Sequence, residues 1–552
     1  MASTPLVSGP WDGVLDTTDP FDDSPNRLVN ASNGYFIDPT SLGGYYGRSG
    51  FLQGPAKTTA LGARSCLYSF AQSDGTYIRF YACKGKLYVV TPVGVNMNYL
   101  TDVTPVGVTI DATDGTTSGG PTTRYYMTQL AGQLVFTDGI NRPWLGTNLS
   151  STPITGTYIS ADGGTTAWTA QGAPFTYQGS LGFLVKSPAS GTNVQAGVGF
   201  IWSEPNQPSV GYEQSGYADF FNYIQTGSDP LYAALGTNEG LVLWRETSIG
   251  IAVGPLNQLQ SSPTTATLSF DVGTKSPAAI ATFGQNVFFV DRLGRPYLLT
   301  LGGSAPVAIW EQMRGQFDRH AAYLNYPNVI GLTAQAVVVP QLKVALLAPF
   351  SPYPTGNGTN LGPIMPAVAF AFDAQNGRYM GTWSLYDGTA TFEAMGVMRD
   401  ANNNPALCVI SGTTTGASPS VWFNHQTVLS AGQWNDTDVF GVDQGAMRPS
   451  VTTGRLGYSE ELAWDCRKGT SITMSASPVV CTVTTPYNSA TAEGTVTPSS
   501  SDDSTYRTSF GLDVRAARGM QFTLSPTGYA AQWGAQRMTA LAVARRARVD
   551  DA

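Results

Sequence analysis

The 552-residue chain has few of the residues that carry most enzyme chemistry. Lys, Arg, Asp and Glu make up 12% of it, against about 25% in ordinary globular proteins. Its two histidines, His320 and His425, belong to no HExxH or His-x-His pattern, which disfavours a zinc site built on histidine. The Gly356–Gly362 stretch lacks the lysine of a phosphate-binding loop, so it is interpreted as a turn. The sequence therefore predicts no cofactor and no enzymatic activity.

Paired cysteine motifs and long hydrophobic runs are also missing. The five cysteines have no CxxC spacing, and their odd number leaves at least one free thiol, which favours synthesis in a reducing cytoplasm. Residues Met1–Pro10 contain no basic region followed by an apolar core, so no secretory signal is predicted. The most apolar stretch, Val329–Phe350, is interrupted by polar residues and a proline, so it predicts paired strands and no membrane segment.

Glycine and proline are abundant, with 62 and 35 residues. This composition favours an all-β protein with many short strands and turns. An ordinary soluble, glycine-rich β protein would have the same composition. The stretch Leu130–Trp144 is echoed by Phe283–Tyr297: both contain Gly-Gln, an apolar strand, Asp, a turn, Arg-Pro and an aromatic residue. That order is typical of a β-hairpin.

Weaker copies share the front half of this pattern. The glycines shared by all five copies, Gly85, Gly132, Gly179, Gly240 and Gly284, are separated by 47, 47, 61 and 44 residues. Four-stranded propeller blades repeat every 40–50 residues or so. The spacing therefore predicts a β-propeller of six or seven blades over residues 61–426.

The flanking regions differ in composition. Residues 1–60 are rich in Pro, Gly and Asp and have too little alternating apolar sequence for a core of their own, so they are predicted to form an arm. Residues 427–552 contain several Thr/Ser/Val strands and predict a sandwich-like β platform domain. The insertion Thr101–Thr123 is predicted to be a surface loop. The aromatic-rich insertion Asn206–Asp229 is predicted to cover another surface, either its own blade or a partner.

The arm contains a cluster of residue types that anchor protein interfaces: Tyr35, Tyr45, Tyr46, Arg48 and Phe51. We predict that these residues serve assembly, and packing on the propeller of the same chain is the alternative. In the first case, removal of residues 1–52 is expected to leave a folded monomer that no longer enters rings.

Six phrases of the chain, in order, resemble the tail nozzle, or tail hub, proteins of short-tailed double-stranded-DNA phages. They are Arg27–Asn30, Gly43–Phe51, Phe200–Pro208, Gly240–Ile249, Gly519–Leu524 and Gln532–Trp533, with Ser49 where the family has proline. The resemblance implies a homohexameric structural virion protein at the distal end of the tail, assembled in the host cytoplasm. It further implies an adaptor ring above it, attached tail fibres or spikes, and the gating and conduction of genome DNA during ejection.

A carbohydrate-binding or glycoside-hydrolysing propeller is the alternative, because a pair of carboxylates suffices for glycoside hydrolysis. Candidates are Asp291, Glu311 and Asp373, although each also suits a hairpin turn or a strand end. Asp111–Gly115 and Asn435–Asp438 offer carboxylates for calcium without the EF-hand pattern.

The charge balance bears on DNA. Thirty Lys and Arg against 38 Asp and Glu give a net charge of −8. Non-specific DNA affinity comes mainly from cations that neutralise phosphates, so this acidic chain is expected to let DNA pass without specific binding. The basic tail Arg545–Arg548 is the local exception, and we expect it to contact an acidic neighbour.

Overall fold

The structure is a computed structural model, and strands dominate the residues it describes. These are residues 4–11, 14–16, 27–37, 44–48, 51–53, 65–83, 85–93, 96–112, 124–159, 168–187, 200–209, 230–256, 264–303, 305–315, 334–348, 368–384, 390–399, 403–413, 420–424, 449–456, 462–473, 479–485, 489–498, 506–517, 519–527 and 533–546. The described residues also contain two short 3-10 helices with both ends defined, Pro277–Ala279 and Ile309–Met313. This part of the chain contains no helix with the length and hydropathy needed to cross a bilayer.

The arm forms five strands. They are β1 (Thr4–Ser8), β2 (Leu28–Ser32), β3 (Gly34–Ile37), β4 (Gly44–Gly47) and β5 (Phe51–Gln53).

Seven antiparallel sheets then follow one another along the described part of residues 65–424. Sheet 1 contains β6 (Ser65–Ala71), β7 (Tyr77–Cys83), β8 (Lys86–Val93) and β9 (Asn96–Asp102); sheet 2 contains β10 (Tyr126–Leu130), β11 (Gln133–Thr137), β12 (Trp144–Thr147) and β13 (Thr155–Tyr158). Sheet 3 contains β14 (Thr169–Tyr177), β15 (Ser180–Ser187) and β16 (Phe200–Trp202); sheet 4 contains β17 (Leu231–Gly236), β18 (Leu241–Arg245), β19 (Ile249–Val253) and β20 (Thr264–Ser269). Sheet 5 contains β21 (Ile280–Phe283), β22 (Asn286–Val290) and β23 (Pro296–Thr300); sheet 6 contains β24 (Gln335–Val339), β25 (Val344–Ala348), β26 (Val368–Asp373) and β27 (Tyr379–Ser384). Sheet 7 contains β28 (Ala390–Arg399), β29 (Pro405–Thr413) and β30 (Ser420–Asn424).

The sheets are arranged as the blades of a β-propeller. The first strands of sheets 1 to 4 contact one another in succession, and so do those of sheets 5 to 7. Sheets 4 and 5 pack through Trp244 and Phe289, whose ring centroids are 6.3 Å apart. The first strand of sheet 7 lies against the first strand of sheet 1, which closes the ring. The arm strand β5 pairs with β30 and completes sheet 7 as its outer strand. One sheet of the propeller is therefore built from an arm strand that precedes the propeller sequence and from the last three propeller strands.

Sheet 6 continues beyond the propeller. The arm strand β2 pairs with β27 on one side and with the C-terminal strand β31 (Ser450–Thr453) on the other. With β33 (Val479–Thr484), β34 (Ser489–Glu493) and β37 (Gln521–Pro526) this makes one nine-stranded sheet. Because sheet 6 is half of a larger sheet, the seven sheets do not separate into seven independent blades.

A second sheet covers the C-terminal half of that nine-stranded sheet. It contains β32 (Leu462–Thr473), β35 (Thr495–Pro498), β36 (Tyr506–Ala517) and β38 (Gly534–Arg546), with β1, β3 and β4 of the arm at one edge. One apolar cluster joins the two sheets, with Cys481 and Leu524 on one side and Phe510 and Met538 on the other. The predicted sandwich-like domain is present, and its core continues into sheets 5 and 6.

Two sequence expectations need correction. The turn at Gly85 lies between the second and third strands of sheet 1, whereas those at the other four repeat glycines lie between first and second strands. Gly75 is the equivalent turn, and its distance from Gly132 is 132 − 75 = 57 residues. The arm is not a removable appendage either, because β2 lies inside the nine-stranded sheet, so loss of residues 1–52 would split that sheet.

Candidate functional sites at the propeller axis and on the arm

The strands nearest the propeller axis contain almost no ionisable side chains suited to acid–base chemistry. The seven first strands, β6, β10, β14, β17, β21, β24 and β28, contain two Lys, Arg, Asp, Glu or His residues in all, Glu393 and Arg399. Arg399 lies over the Tyr77 ring at 5.0 Å, and its backbone N–H donates to Ser69 Oγ at 2.9 Å. Arg399 therefore fastens sheet 7 to sheet 1, which is a structural role.

A short segment, Ser276–Ala279, lies where these first strands converge. Ser276 donates its hydroxyl to the carbonyl of Ala334 at 2.7 Å, at the entrance to sheet 6. Pro277 lies against Gly172 of sheet 3, so closely that a Cβ on Gly172 would stand 2.3 Å from the proline Cγ. Tyr126 of sheet 2 reaches the backbone of Ala278. The segment thus joins sheets 2, 3 and 6 and occupies the axis at this level.

The surroundings of Tyr126 are apolar enough to shift its titration. Burial raises the pKa of the Tyr126 hydroxyl, and the nearby Arg124 guanidinium and the Ala278 amide oppose the rise. Burial likewise raises the pKa of the neighbouring Cys66 thiol to about 12. Both groups stay protonated at neutral pH, so neither is a nucleophile or a base there.

The Asp of the repeated hairpin is a turn residue in both copies. Asp138 Oδ1 accepts the backbone N–H groups of Ile140 at 2.9 Å and Asn141 at 2.6 Å. Asp291 Oδ1 accepts those of Leu293 and Arg295, both at 2.8 Å. These side-chain bonds fix the turn that the pattern predicted.

The Arg-Pro pair that follows is also structural. The Arg142 guanidinium lies 5.7 Å from the Tyr158 ring centre and that of Arg295 lies 4.7 Å from the Trp310 ring centre. In the first copy the aromatic residue after proline, Trp144, stacks on Phe136 at 4.9 Å. The repeat therefore encodes a capped hairpin with an arginine placed over an outer aromatic ring.

The carbohydrate candidates are separate elements of sheets 5 and 6. Asp291 follows β22, Glu311 is exposed in the 3-10 helix after β23, and Asp373 ends β26. Asp373 accepts the N–H of Gln375 at 2.8 Å, as a turn residue does. Burial raises the pKa of Asp291 to about 6, against the effect of its amide donors and of Arg295.

Among the described residues, no group of three or more His, Cys, Asp or Glu side chains is arranged so that it could hold a metal ion. Of the calcium candidates, Asp111 is described and its carbonyl accepts the Tyr125 hydroxyl. Residues 113–115 and 435–438, both histidines and most of the Asn206–Asp229 insertion lie outside the described residues. All five cysteines are free thiols, and four of them are buried.

The predicted interface residues of the arm lie mostly inside the chain. Tyr35, Tyr45, Tyr46 and Arg48 are between 0% and 8% exposed, and Phe51 begins β5. Arg48 donates from Nη2 to the carbonyl of Ser384 in sheet 6 at 2.7 Å. These side chains pack as the intrachain alternative expects. A role of the arm in assembly stays a prediction and would not come from direct contact by the buried rings.

The residues that hold the arm were not singled out from the sequence. Asn33 adopts a φ of 54° and its Oδ1 accepts the N–H of Ser384 at 2.9 Å, while Trp383 donates to the carbonyl of Gly34 at 2.7 Å. An Asn-Gly pair is a turn signal that could have marked Asn33. Nothing in the sequence around Trp383 indicates a partner 349 residues away.

Comparisons with known proteins add little to this description. No protein-family model matches the chain, and no curated protein matches it significantly. The chain is similar to the crystal structure of BBS1N in complex with ARL6DN, at 10% identity and a TM-score of 0.37 over 69% of this chain and 99% of that one. For Sqt1 of Saccharomyces cerevisiae the identity is 9% and the TM-score 0.35, over 71% and 99%. For the exo-beta-1,3-galactanase of Phanerochaete chrysosporium with galactose they are 10% and 0.24, over 75% and 95%.

TM-scores this low establish neither a shared fold nor a shared function. The β-propeller assignment therefore depends on the succession and closure of the sheets described above. None of the three proteins is a phage tail nozzle protein, and the family resemblance stays a prediction.

Proposed function

We propose that this chain is a structural tail protein of a short-tailed double-stranded-DNA phage, a nozzle or hub subunit that does no chemistry. In this proposal a homohexameric ring at the distal end of the tail gates and conducts genome DNA during ejection. It lies below an adaptor ring and anchors fibres or spikes.

The observation that carries the proposal is the composition of the strands at the propeller axis. Glycoside hydrolysis needs a pair of carboxylates around the scissile bond. The seven first strands contain one carboxylate, Glu393, and one arginine, Arg399, which holds sheets 7 and 1 together. A framework role fits this composition better than catalysis.

The pairing of arm strands with both domains supports the same role. Strand β2 hydrogen-bonds to both the propeller and the C-terminal sandwich, and β5 completes sheet 7. A hinge between the two domains would break these bonds. A rigid two-domain body suits a subunit that must keep its shape while DNA moves past it.

The axis of a single propeller is not the proposed DNA route. Segment Ser276–Ala279 and Tyr126 occupy it within one chain. The passage in this proposal is the opening enclosed by several chains.

Electron microscopy of the purified chain, and of virions labelled with an antibody against it, tests the proposal. We expect closed rings and label at the distal tip of the tail. Label elsewhere on the particle would contradict a nozzle. Hydrolysis of a glycan by the purified chain, abolished by Asp291→Asn or Asp373→Asn, would instead establish the enzyme alternative.

A further inference from the structure

One face of this acidic chain is basic. In the sheet formed by β1, β38, β32, β36 and β35, alternate side chains such as Cys466, Phe510 and Met538 are buried in the sandwich core. Among the described side chains, the opposite face exposes five cations: Arg467, Lys468, Arg507, Arg515 and Arg537. We refer to this surface as the basic face.

Strand register places these cations in a pattern. Ile472 lies opposite Arg507 on one neighbouring strand and opposite Arg537 on the other, so the two arginines flank it in one row across the sheet. Neighbouring strands are about 4.8 Å apart, which sets the two arginine backbones about 10 Å apart. A bulge between Cys466 and Lys468 leaves Arg467 and Lys468 both exposed.

The described side chains of these strands include two carboxylates, Asp465 and Asp513. Asp513 forms an ion pair with Arg515 at 3.1 Å, and Asp465 is half-buried. Arg467, Lys468 and Arg537 make no ion pair with any described residue. Counted over the described side chains, five cations and two carboxylates give the face +3, and since the whole chain carries −8, all its other residues together carry −8 − 3 = −11.

The cations are interleaved with apolar side chains, which favours a protein partner over a nucleic acid. Leu541 is 37% exposed, and Ile472, Val543 and Val7 are partly exposed on the same strands. Arginine among apolar groups is typical of protein interfaces. Surfaces that bind nucleic acid are more polar and much more positively charged than protein–protein interfaces.

The size of the face is that of a specific interface. Its three long strands contain 12, 12 and 13 residues. A sheet residue covers about 16 Å², the product of strand rise and strand spacing, so these strands present roughly 600 Å² and the two short edge strands bring this to roughly 700 Å². A standard interface buries about 800 Å² on each partner.

We propose that the basic face is the surface through which one copy of this chain docks on an acidic surface of the next copy. Two basic faces would repel each other, so the contact joins two different surfaces of the chain. Head-to-tail contacts of this kind produce closed rings or open filaments. The inference depends on the proposed function only in expecting the ring to close around a channel.

The test uses the full chain and a charge-reversed pair, Arg507→Glu with Arg537→Glu. Both side chains are exposed, so the fold is expected to survive, and circular dichroism and thermal unfolding check this. The matched control is Arg314→Glu with Lys343→Glu, two exposed cations outside the sheet with the same change in charge. Sedimentation velocity is measured at about 0.1 M and about 1 M salt, between which the Debye length falls from about 10 to about 3 Å.

At the lower salt we expect the wild type and the control pair to sediment as assemblies of the 58.4 kDa chain. The reversed pair should associate about tenfold or more weakly, equivalent to about 1.4 kcal/mol, and high salt should weaken the wild type in the same direction.

Equal assembly by the reversed and control pairs would overturn the inference, as would a wild type that stays a single chain at every concentration. Binding of duplex DNA that only the reversed pair loses, with self-association unchanged, would make nucleic acid the occupant and also overturn it. Assemblies that need this face but are open filaments would uphold the inference and contradict the proposed tail ring.

Discussion

Replacing Asp291 by asparagine is expected to stabilise the protein at neutral pH. The Asp291 side chain is buried, and its pKa of about 6 lies above the ordinary value of 3.8 because burial disfavours the charged form. Between these two values the folded chain binds more protons than the unfolded chain, so stability is lost as pH rises from about 4 to about 6. The difference between the two pKa values corresponds to a loss of at most about 3 kcal/mol in the free energy of unfolding. Asparagine avoids this cost and keeps an oxygen for the Leu293 and Arg295 amides.

Asp138 offers a matched control in the other copy of the hairpin. Its Oδ1 accepts two backbone N–H groups, and its Oδ2 accepts the Asp111 N–H at 2.9 Å and the Asn141 side-chain amide at 2.7 Å. An asparagine there would place an NH₂ group against donors whichever way it is turned. We expect Asp138→Asn to cost about 1–3 kcal/mol.

Thermal unfolding of the two variants at pH 4 and pH 7.5 checks this reasoning. For a chain of 552 residues, an unfolding entropy of about 2.1 cal/mol/K per residue converts 3 kcal/mol to a Tm change of about 2–3 °C. Asp291→Asn should raise Tm by up to that amount at pH 7.5 and leave it nearly unchanged at pH 4, whereas Asp138→Asn should lower it at pH 7.5. A fall in Tm of similar size for both variants at pH 7.5 would refute the burial argument.

Three further changes probe the axis and the arm. Gly172→Ala should cost about 2 kcal/mol or more, since Gly172 has a φ of 70° and its Cβ would strike Pro277; Gly132→Ala, with φ 74° and open space, should cost about 1 kcal/mol. Equal unfolding free energies of these two variants would contradict the packing of the axis segment. Asn33→Ala should cost about 2 kcal/mol because it removes the acceptor for Ser384 and leaves a strained φ, and chemical denaturation measures it. A chain without the arm should aggregate, because unpaired edges of the nine-stranded sheet are left open, and a soluble monomer in size-exclusion chromatography would disprove this.

Local structure was largely predictable and long-range pairing was not. The hairpins at Gly132 and Gly179 could be predicted because a positive φ in a two-residue turn favours glycine, and both glycines have one. The Gly85 turn was also predictable, but the repeat spacing wrongly made it equivalent to the other four glycines, since a hairpin glycine does not tell which pair of strands in a sheet it joins.

The partner strands of the arm could not be predicted from the sequence. Strand β2 is held by backbone hydrogen bonds to strands more than 300 residues away, and backbone groups leave no mark in the sequence. Tyr45 and Arg48 belong to residue types that anchor contacts within chains as well as between them, so their burial inside the chain could not be separated from assembly beforehand. Regular turn chemistry is local, whereas the choice of partner strand depends on the whole fold.

The position of β1 bears on how the protein is made. Its partner is β38, with Thr4 opposite Ala542, so the earliest described strand to be synthesised pairs with the latest described one. At a synthesis rate of 5–20 residues per second, about half a minute to two minutes separate the two strands. Strand β2 also waits for β27 and β31, so a prematurely terminated chain exposes unpaired arm strands. Strand β1 can therefore be paired only after β38 has been made, and chains that stop before β38 should be open to proteolysis before they join any assembly.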